Sequence, residues 1–557
     1  MTPTMDPHPR NGARLLVDSL LALGADTAFC VPGESYLPVL DALHDVEDRF
    51  RLVTCRQEGG AAFMAEAWGK LTGRPGICFV TRGPGATNAS IGVHTARQDS
   101  TPMILFIGQV GRPELGREAF QEIDYRQMFG PIAKWATQLE AAARIPEILA
   151  RAWQVATSGR PGPVVIALPE DVLAEETDAS PPRPVATYEP QPDPAALERL
   201  GGLLESARAP LMIVGAGGWK PEARAALADF AHRWSLPVAA AFRRQDIFDN
   251  AHPCYVGELG TSASPTLAAR VRNADLVLAV GARLDEMTTN GYTLIEAPAP
   301  RQTLVLVHSD PEVLHQTYQP TLAIAAGVNA FAIRLGALLP TRTPLPWLDW
   351  MHSARAEQER NATPASYPGA LDLGAVMRVL AARLPEDTIV CNGAGNYTGW
   401  PQRFHCFRHY PSQLAPLSGA MGYGVPAAIA ASLREPNRSV LAFAGDGDFL
   451  MNGQELATAV QYGARPLILV VNNGMYGTIR MHQERSFPGR TIATTLVNPD
   501  FAAFATAFGA YGDVVAQTTE FAPALERALA SGRVALLELR VDPEQITTRS
   551  TLSALRG

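Results

Sequence analysis

Two apolar runs with matching ends constrain this chain most. Ser439-Val440-Leu441-Ala442-Phe443-Ala444 leads into Gly445-Asp446-Gly447, and Pro466-Leu467-Ile468-Leu469-Val470-Val471 leads into Asn472-Asn473. The residues between them, Gly453-Gln454-Glu455-Leu456-Ala457-Thr458-Ala459-Val460, suit a helix, so the pattern predicts a strand-helix-strand unit. A crossover of this kind makes the two strands parallel, and Asp446 and Asn473 then both emerge at carboxyl ends, where open α/β sheets place ligands. Mg²⁺ prefers six oxygens and is usually held by few protein ligands plus phosphate oxygens, which suits one carboxylate, one amide oxygen and a backbone carbonyl. Glycines 445 and 447 let the backbone come close. The plainer reading of Gly-Asp-Gly alone is a turn and helix cap.

Together these residues resemble the thiamine-diphosphate (ThDP) signature of the acetolactate synthase and pyruvate decarboxylase superfamily, in the acetolactate synthase large-subunit style, and the resemblance runs through nearly the whole chain. It implies that Asp446, Asn473 and the main-chain carbonyl of Met475 are Mg²⁺ ligands, with Gly447 and Asp448 beside the cofactor. It also implies that Gly395, Asn396 and Tyr397, after the run Thr388-Ile389-Val390-Cys391, touch the diphosphate through backbone amides. In Ser418-Gly419-Ala420-Met421-Gly422-Tyr423-Gly424 the family places an apolar wedge between the cofactor rings. Met421 takes that position, and the carbonyl of Gly419 accepts from the exocyclic amine.

Length and composition fit a large enzyme of several domains. The chain has 557 residues, 47% of them hydrophobic, and lacks an apolar stretch approaching membrane length. A net charge of −8 argues against a nucleic-acid surface as its main business. Cysteines 30, 55, 78, 254, 391 and 406 follow no metal-ligand or paired spacing, which predicts reduced thiols in a cytoplasmic protein. Two proline-rich stretches, Ala174 to Pro194 and Pro340 to Pro368, read as linkers. Leu211-Met212-Ile213-Val214, Asp275 to Val280 and Thr303 to Val307 read as buried parallel strands between them. The expected fold class is therefore α/β, with three doubly wound parallel-sheet domains. Their expected bounds are 13–180 (pyrimidine-binding), 195–340 (middle, Rossmann-like) and 370–545 (diphosphate- and Mg-binding). A mobile N-terminus, 1–12, and a tail, 546–557, complete the chain.

In the first third, Arg51 to Cys55 reads as a strand and Glu58 opens a helical pattern, so its carboxylate is expected at the mouth of a sheet. The null alternative is an acidic residue favoured in a first helical turn. By the resemblance, Glu58 meets the cofactor's pyrimidine ring and exchanges a proton with a ring nitrogen, promoting the ylid. That task calls for a raised pKa and an apolar wall. Thr81-Arg82-Gly83-Pro84-Gly85-Ala86-Thr87-Asn88 matches the family's glycine-rich turn before a helix. The resemblance further implies a homodimer or homotetramer, with Glu58 of one protomer facing the Mg²⁺ site of the other.

The expected reaction is carboligation of acetolactate synthase type. The ylid adds to a 2-oxo acid such as pyruvate, CO₂ leaves, and the acyl unit passes to a second carbonyl. Departures from the family patterns bear on this. Glu34, in Pro32-Gly33-Glu34-Ser35, stands where acetolactate synthases have a small residue and pyruvate decarboxylases an acidic one. Ile479 stands where those decarboxylases use a glutamate to release aldehyde. Ala119-Phe120-Gln121-Glu122 copies the acetolactate synthase segment near the substrate, making Gln121 a candidate. His482 replaces the tryptophan that favours 2-oxobutyrate in biosynthetic enzymes. In the middle third, Gly217, Gly218 and Arg283 resemble positions that hold FAD in acetolactate synthases, whereas similar domains hold ADP, CoA or nothing. The alternatives are a 2-hydroxyacyl-CoA lyase or aromatic 2-oxo acid decarboxylase, and, in a different class, an inactive cofactor-binding regulatory paralogue.

Overall fold

The computed structural model describes residues 10–556, so most of the expected mobile N-terminus lies outside the described residues. Each third of the chain forms one six-stranded sheet, and every strand pairing in the three sheets is parallel. The α/β, doubly wound architecture read from the apolar runs is the one observed.

The first sheet comprises β1 (Thr27–Cys30), β2 (Arg51–Thr54), β3 (Gly76–Val80), β4 (Met103–Gln109), β5 (Trp135–Gln138) and β6 (Pro163–Pro169), in the order β2-β1-β3-β4-β6-β5. The second comprises β7 (Pro210–Val214), β8 (Val238–Ala240), β9 (Tyr255–Glu258), β10 (Leu276–Val280), β11 (Thr303–His308) and β12 (Leu322–Ala325), in the order β12-β11-β10-β7-β8-β9. The third comprises β13 (Ile389–Asn392), β14 (Gln413–Leu414), β15 (Val440–Gly445), β16 (Leu467–Asn472), β17 (Tyr511–Val515) and β18 (Ala535–Arg540), in the order β14-β13-β15-β16-β18-β17. The first and third sheets thus share one strand order, whereas the second has the order of dinucleotide-binding folds. Each reverses direction between two neighbouring strands: β1 and β3, β7 and β10, β13 and β15. Ligand crevices of open α/β sheets form at such points.

By compactness the chain divides into two units. One holds the described residues up to Tyr188 together with Ile429–Arg434 and Asn452–Ala464; the other holds Glu189–Ala428, Glu435–Met451 and Arg465 onwards.

In the first unit the helix Glu58–Thr72 starts where it does because Gln57 is extended and its side chain accepts from the Gly60 amide; it ends at Gly73 in the left-handed conformation. It packs against the helix Gly83–Asp99 closely enough that a side chain on Gly92 would strike Ala62. A buried ionic group, Lys70 with Glu66 and Asp99, joins the two helices. The turn expected over Thr81 to Asn88 is shorter than read: Gly83, Pro84 and Gly85 already belong to the helix, with Pro84 in its first turn, where a missing N–H costs nothing.

In the second unit the expected second linker is corrected. Its centre is the helix Leu348–Asn361, which buries Met351 and Ala354. Trp347 precedes it and stacks on Trp234 at 6.4 Å, and Arg270 pairs with Glu357 at 2.8 Å. Flanking prolines concealed a helix whose exposed face is charged.

Candidate active site

The crevice between β13 and β15 opens into a cavity of about 230 Å³. Its lining contains every cofactor-site residue expected from the last third: Gly395, Asn396, Tyr397, Gly419, Met421, Asp446, Gly447, Asp448, Asn473 and Met475. Four strand ends deliver them, Gly419 and Met421 following β14. Gly395–Tyr397 follow β13, Asp446 and Gly447 follow β15, and Asn473 follows β16, with Gly445 opposite Val471 in register. Gly447 is dictated by contact, since a Cβ there would lie 2.4 Å from the Tyr476 ring. Gly474, at φ +68°, turns the chain so that its amide donates to Asp446 Oδ2 at 2.9 Å.

Asp446 is 3% exposed. Burial raises its pKa, opposed by hydrogen bonds from Asn498 and from the Gly447 and Gly474 amides. Among the described residues it makes no ion pair. Asn498 Nδ2 bridges Asp446 Oδ2 at 2.7 Å and Asn472 Oδ1 at 3.0 Å, and the Asn472 amide donates to Glu538 at 2.8 Å. The two asparagines therefore divide their work: Asn472 braces the strand ends, and Asn473 faces the cavity. A buried carboxylate lacking a counter-charge, beside amide and carbonyl oxygens in the same lining, fits a hard divalent cation with few protein ligands. Asp448 accepts from the Gly422 amide at 2.8 Å and the Ala394 amide at 3.3 Å, so it holds the segments carrying Met421 and Gly395; burial pushes its carboxyl up to about 6. Thr478 accepts from the Asn396 amide at 3.0 Å, fixing the Gly395–Tyr397 turn. Asn498 and Thr478 escaped sequence reading because neither lies in the Gly-Asp-Gly pattern.

In the first unit, Glu58 occupies the first turn of its helix and accepts from Asn88 Nδ2 at 2.9 Å. Glu34 is exposed and opens the short helical turn Glu34–Tyr36, just after β1. Tyr36 anchors that turn, stacking on Phe79 at 6.0 Å while its hydroxyl donates to the Val31 carbonyl at 2.7 Å. Gln121 sits at φ +64°, and its carbonyl accepts from the Gly83 amide at 3.0 Å. Ser35 and Thr81 hydroxyls lie 3.0 Å apart, so the loops after β1 and β3 meet at the switch point of the first sheet. Glu34, Glu58 and Gln121 thus all follow the carboxyl ends of strands of one sheet, β1, β2 and β4.

His482 is exposed on the helix Gly477–Ser486 and is absent from the cavity lining, to which Gly477, Thr478 and Ile479 of that helix contribute. The middle-sheet turn is braced from elsewhere in the chain. Tyr410 Oη accepts from the Gly218 amide at 2.7 Å, and Asn329 Oδ1 accepts from the Lys220 amide at 2.7 Å. A Cβ on Gly215 would lie 2.7 Å from Ala282 Cα, so the ends of β7 and β10 close on each other; Arg283 turns to Asp285 at 3.3 Å.

Comparison with known proteins agrees with this geometry. Residues 10–128 match the family described as "Thiamine pyrophosphate enzyme, N-terminal TPP binding domain", 197–335 its "central domain", and 393–539 its "C-terminal TPP binding domain". The three sheets and the crevice after β13 and β15 are thus those of a three-domain thiamine pyrophosphate enzyme. The chain is 32% identical over 537 residues to the acetolactate synthase isozyme 2 large subunit of Escherichia coli (strain K12), covering 96% of both chains. It is 34% identical over 552 residues to the acetolactate synthase large subunit of Parasynechococcus marenigrum (strain WH8102), covering 96% of this chain and 88% of the relative. The acetolactate synthase large subunit of Corynebacterium glutamicum is 33% identical over 540 residues, with 94% and 85% covered. The chain belongs to the acetolactate synthase-like family of ThDP-dependent enzymes. Among the described residues no helix is long and apolar enough to cross a membrane.

Proposed function

We propose that the protein decarboxylates a 2-oxo acid such as pyruvate and transfers the acyl unit to a second carbonyl, using ThDP and Mg²⁺. The observation that carries this reading is the convergence of Asp446, Asn473 and Met475 with Gly395–Tyr397 and Met421 on one cavity. Asp446, the Asn473 side chain and the Met475 carbonyl would hold the metal, and the Gly395–Tyr397 turn and Gly447 the diphosphate. Bound there, ThDP supplies an acidic ring carbon and an electron sink for loss of CO₂. Glu58 would exchange a proton with the pyrimidine nitrogen of the bound cofactor, its carboxylate aimed by Asn88. Met421, in the cavity lining, would pack against the cofactor.

Ile479 in the cavity wall favours transfer over release. An apolar side chain there supplies no proton donor for expelling an aldehyde, so the acyl unit stays available to a second carbonyl. Gln121 and Glu34 are read as substrate-side groups, whereas His482 is read as a rim residue. By the family resemblance, the protein is read as a homodimer in which each site takes Glu58 from one protomer and Asp446 from its partner. FAD at Gly217, Gly218 and Arg283 of the middle domain stays the alternative to a purely structural role, since a Cβ on Gly218 would meet open space.

The test is titration of apo-protein with ThDP and Mg²⁺, followed by pyruvate, with products identified by mass. A 2-hydroxy-2-methyl-3-oxo acid supports the reading. Free acetaldehyde as the sole product contradicts it.

A further inference from the structure

Glu455 is wholly buried in the first unit, at the end of the short helical turn Gly453–Glu455. Its Oε1 accepts from the amides of Arg56 and Gln57, each at 3.0 Å, and its Oε2 accepts from the Arg56 amide at 3.2 Å and the Thr458 hydroxyl at 2.6 Å. Among the described residues it forms no ion pair, so these hydrogen-bond donors, with the more distant charge of Arg56, offset the cost of burying the carboxylate. Two of those donors belong to the residues immediately before Glu58.

The surrounding contacts serve the same loop. Tyr462 Oη accepts from the Thr54 amide at 2.8 Å, and Arg56 reaches Gln461 Oε1 at 2.7 Å, so Asn452–Ala464 runs along the end of β2. Gly60 leaves the space that Glu455 occupies; a Cβ there would lie 2.8 Å from Oε1. Gln57 in turn caps the helix by accepting from the Gly60 amide at 3.0 Å. The backbone on the N-terminal side of Glu58 is therefore held by Glu455, and its carboxylate tip by Asn88.

We infer that Glu455 is a positioning residue for Glu58: it fixes the Arg56-Gln57 backbone so that the Glu58 carboxylate enters the first helical turn at one place and angle. This rests on the reading of Glu58 as the proton-exchanging group. A carboxylate suits the task because one oxygen accepts two successive amides while the other remains for Thr458. An apolar residue of similar size leaves both amides unpaired in a dry site.

The test compares Glu455→Gln, Glu455→Leu and Gly60→Ala with Glu58→Gln. Amide hydrogen exchange at residues 55–60 is read on apo-protein, and exchange of the cofactor's C2 proton, kcat and KM on protein loaded with ThDP and Mg²⁺. Glu455→Leu is expected to speed exchange of the Arg56 and Gln57 amides while β3 and β4 stay protected. It should slow C2 proton exchange and kcat together by about tenfold or more, with KM for the 2-oxo acid changing about twofold at most. Glu455→Gln, which keeps an acceptor, is expected to restore most of both. Gly60→Ala displaces the carboxylate without removing it and is expected to shift the same readouts the same way, so the outcome does not depend on the leucine variant folding. Unchanged C2 exchange and kcat in Gly60→Ala and in a folded Glu455→Leu, with Glu58→Gln slow, overturns the positioning role alone. Unchanged exchange and kcat in Glu58→Gln overturns the reading of Glu58 and this inference with it.

Discussion

Asn88 Nδ2 donates to Glu58 Oε2 over 2.9 Å, linking the first turn of one helix to the body of the next. A hydrogen bond to a charged group is worth about 1.5 to 3 kcal/mol, so Asn88→Ala is expected to lower kcat by about tenfold or more with little change in cofactor affinity. Glu58→Gln, which removes the exchangeable proton, is expected to lower kcat by about a hundredfold or more while ThDP still binds. Steady-state kinetics with parallel cofactor titrations separate the two effects.

Asp446 and Asn498 invite a metal test. Asp446→Ala is expected to abolish Mg²⁺-dependent retention of ThDP. Asn498→Ala removes the donor that orients Asp446 Oδ2 and is expected to weaken Mg²⁺ by about ten- to a hundredfold, the usual range for loss of an outer partner. Calorimetric titration of apo-protein at several Mg²⁺ concentrations measures both.

Glu258 gives a pH signature. Both carboxylate oxygens are buried without a hydrogen-bond partner, and burial, partly offset by Arg243 and Arg549, pushes its carboxyl up to about 8. A folded pKa above the unfolded one means that stability is fully present below the unfolded value, near 4.5, and is lost as pH rises towards 8. Glu258→Gln cannot ionise, so its melting temperature is expected to gain on the parent protein steadily between pH 5 and 8 and then run parallel. A constant difference across that range would contradict the assignment.

Lys70 is expected to matter for stability. Its side chain is 6% exposed between Glu66 and Asp99, both wholly buried, so Lys70→Met removes the cation that the two carboxylates share. Breaking such a group by removing one partner costs about 3 to 5 kcal/mol, or about 10 °C in melting temperature for a unit of this size. Thermal denaturation followed by circular dichroism checks it.

The parts of the site that lie within one strand-turn pattern were legible in the sequence, because buried parallel strands write themselves as apolar runs and their carboxyl ends follow directly. Asp446 and Asn473 could be placed on one edge for that reason, and Glu58 at a helix start after β2. Asn88, Asn498 and Glu455 could not, since their partners are set by how helices and loops pack over separations of 30, 52 and up to 399 residues. Local chemistry misled in two places. Prolines at 344, 346 and 364 marked the Leu348–Asn361 region as a linker although Trp347, Met351 and Ala354 are core residues, and Gly83-Pro84-Gly85 read as a turn although proline is at home in a first helical turn. The hydrogen bond from the Gly218 amide to Tyr410 was likewise out of reach of the sequence, its partners standing 192 residues apart.

Each active site, as proposed, draws Glu58 from one protomer and Asp446 from its partner. Mixing two inactive variants, Glu58→Gln and Asp446→Ala, under conditions that exchange subunits tests this directly. Shared sites predict recovery towards about a quarter of parental turnover, because half of randomly paired dimers carry one wholly intact site. No recovery from a mixture shown to contain the mixed dimer would contradict it.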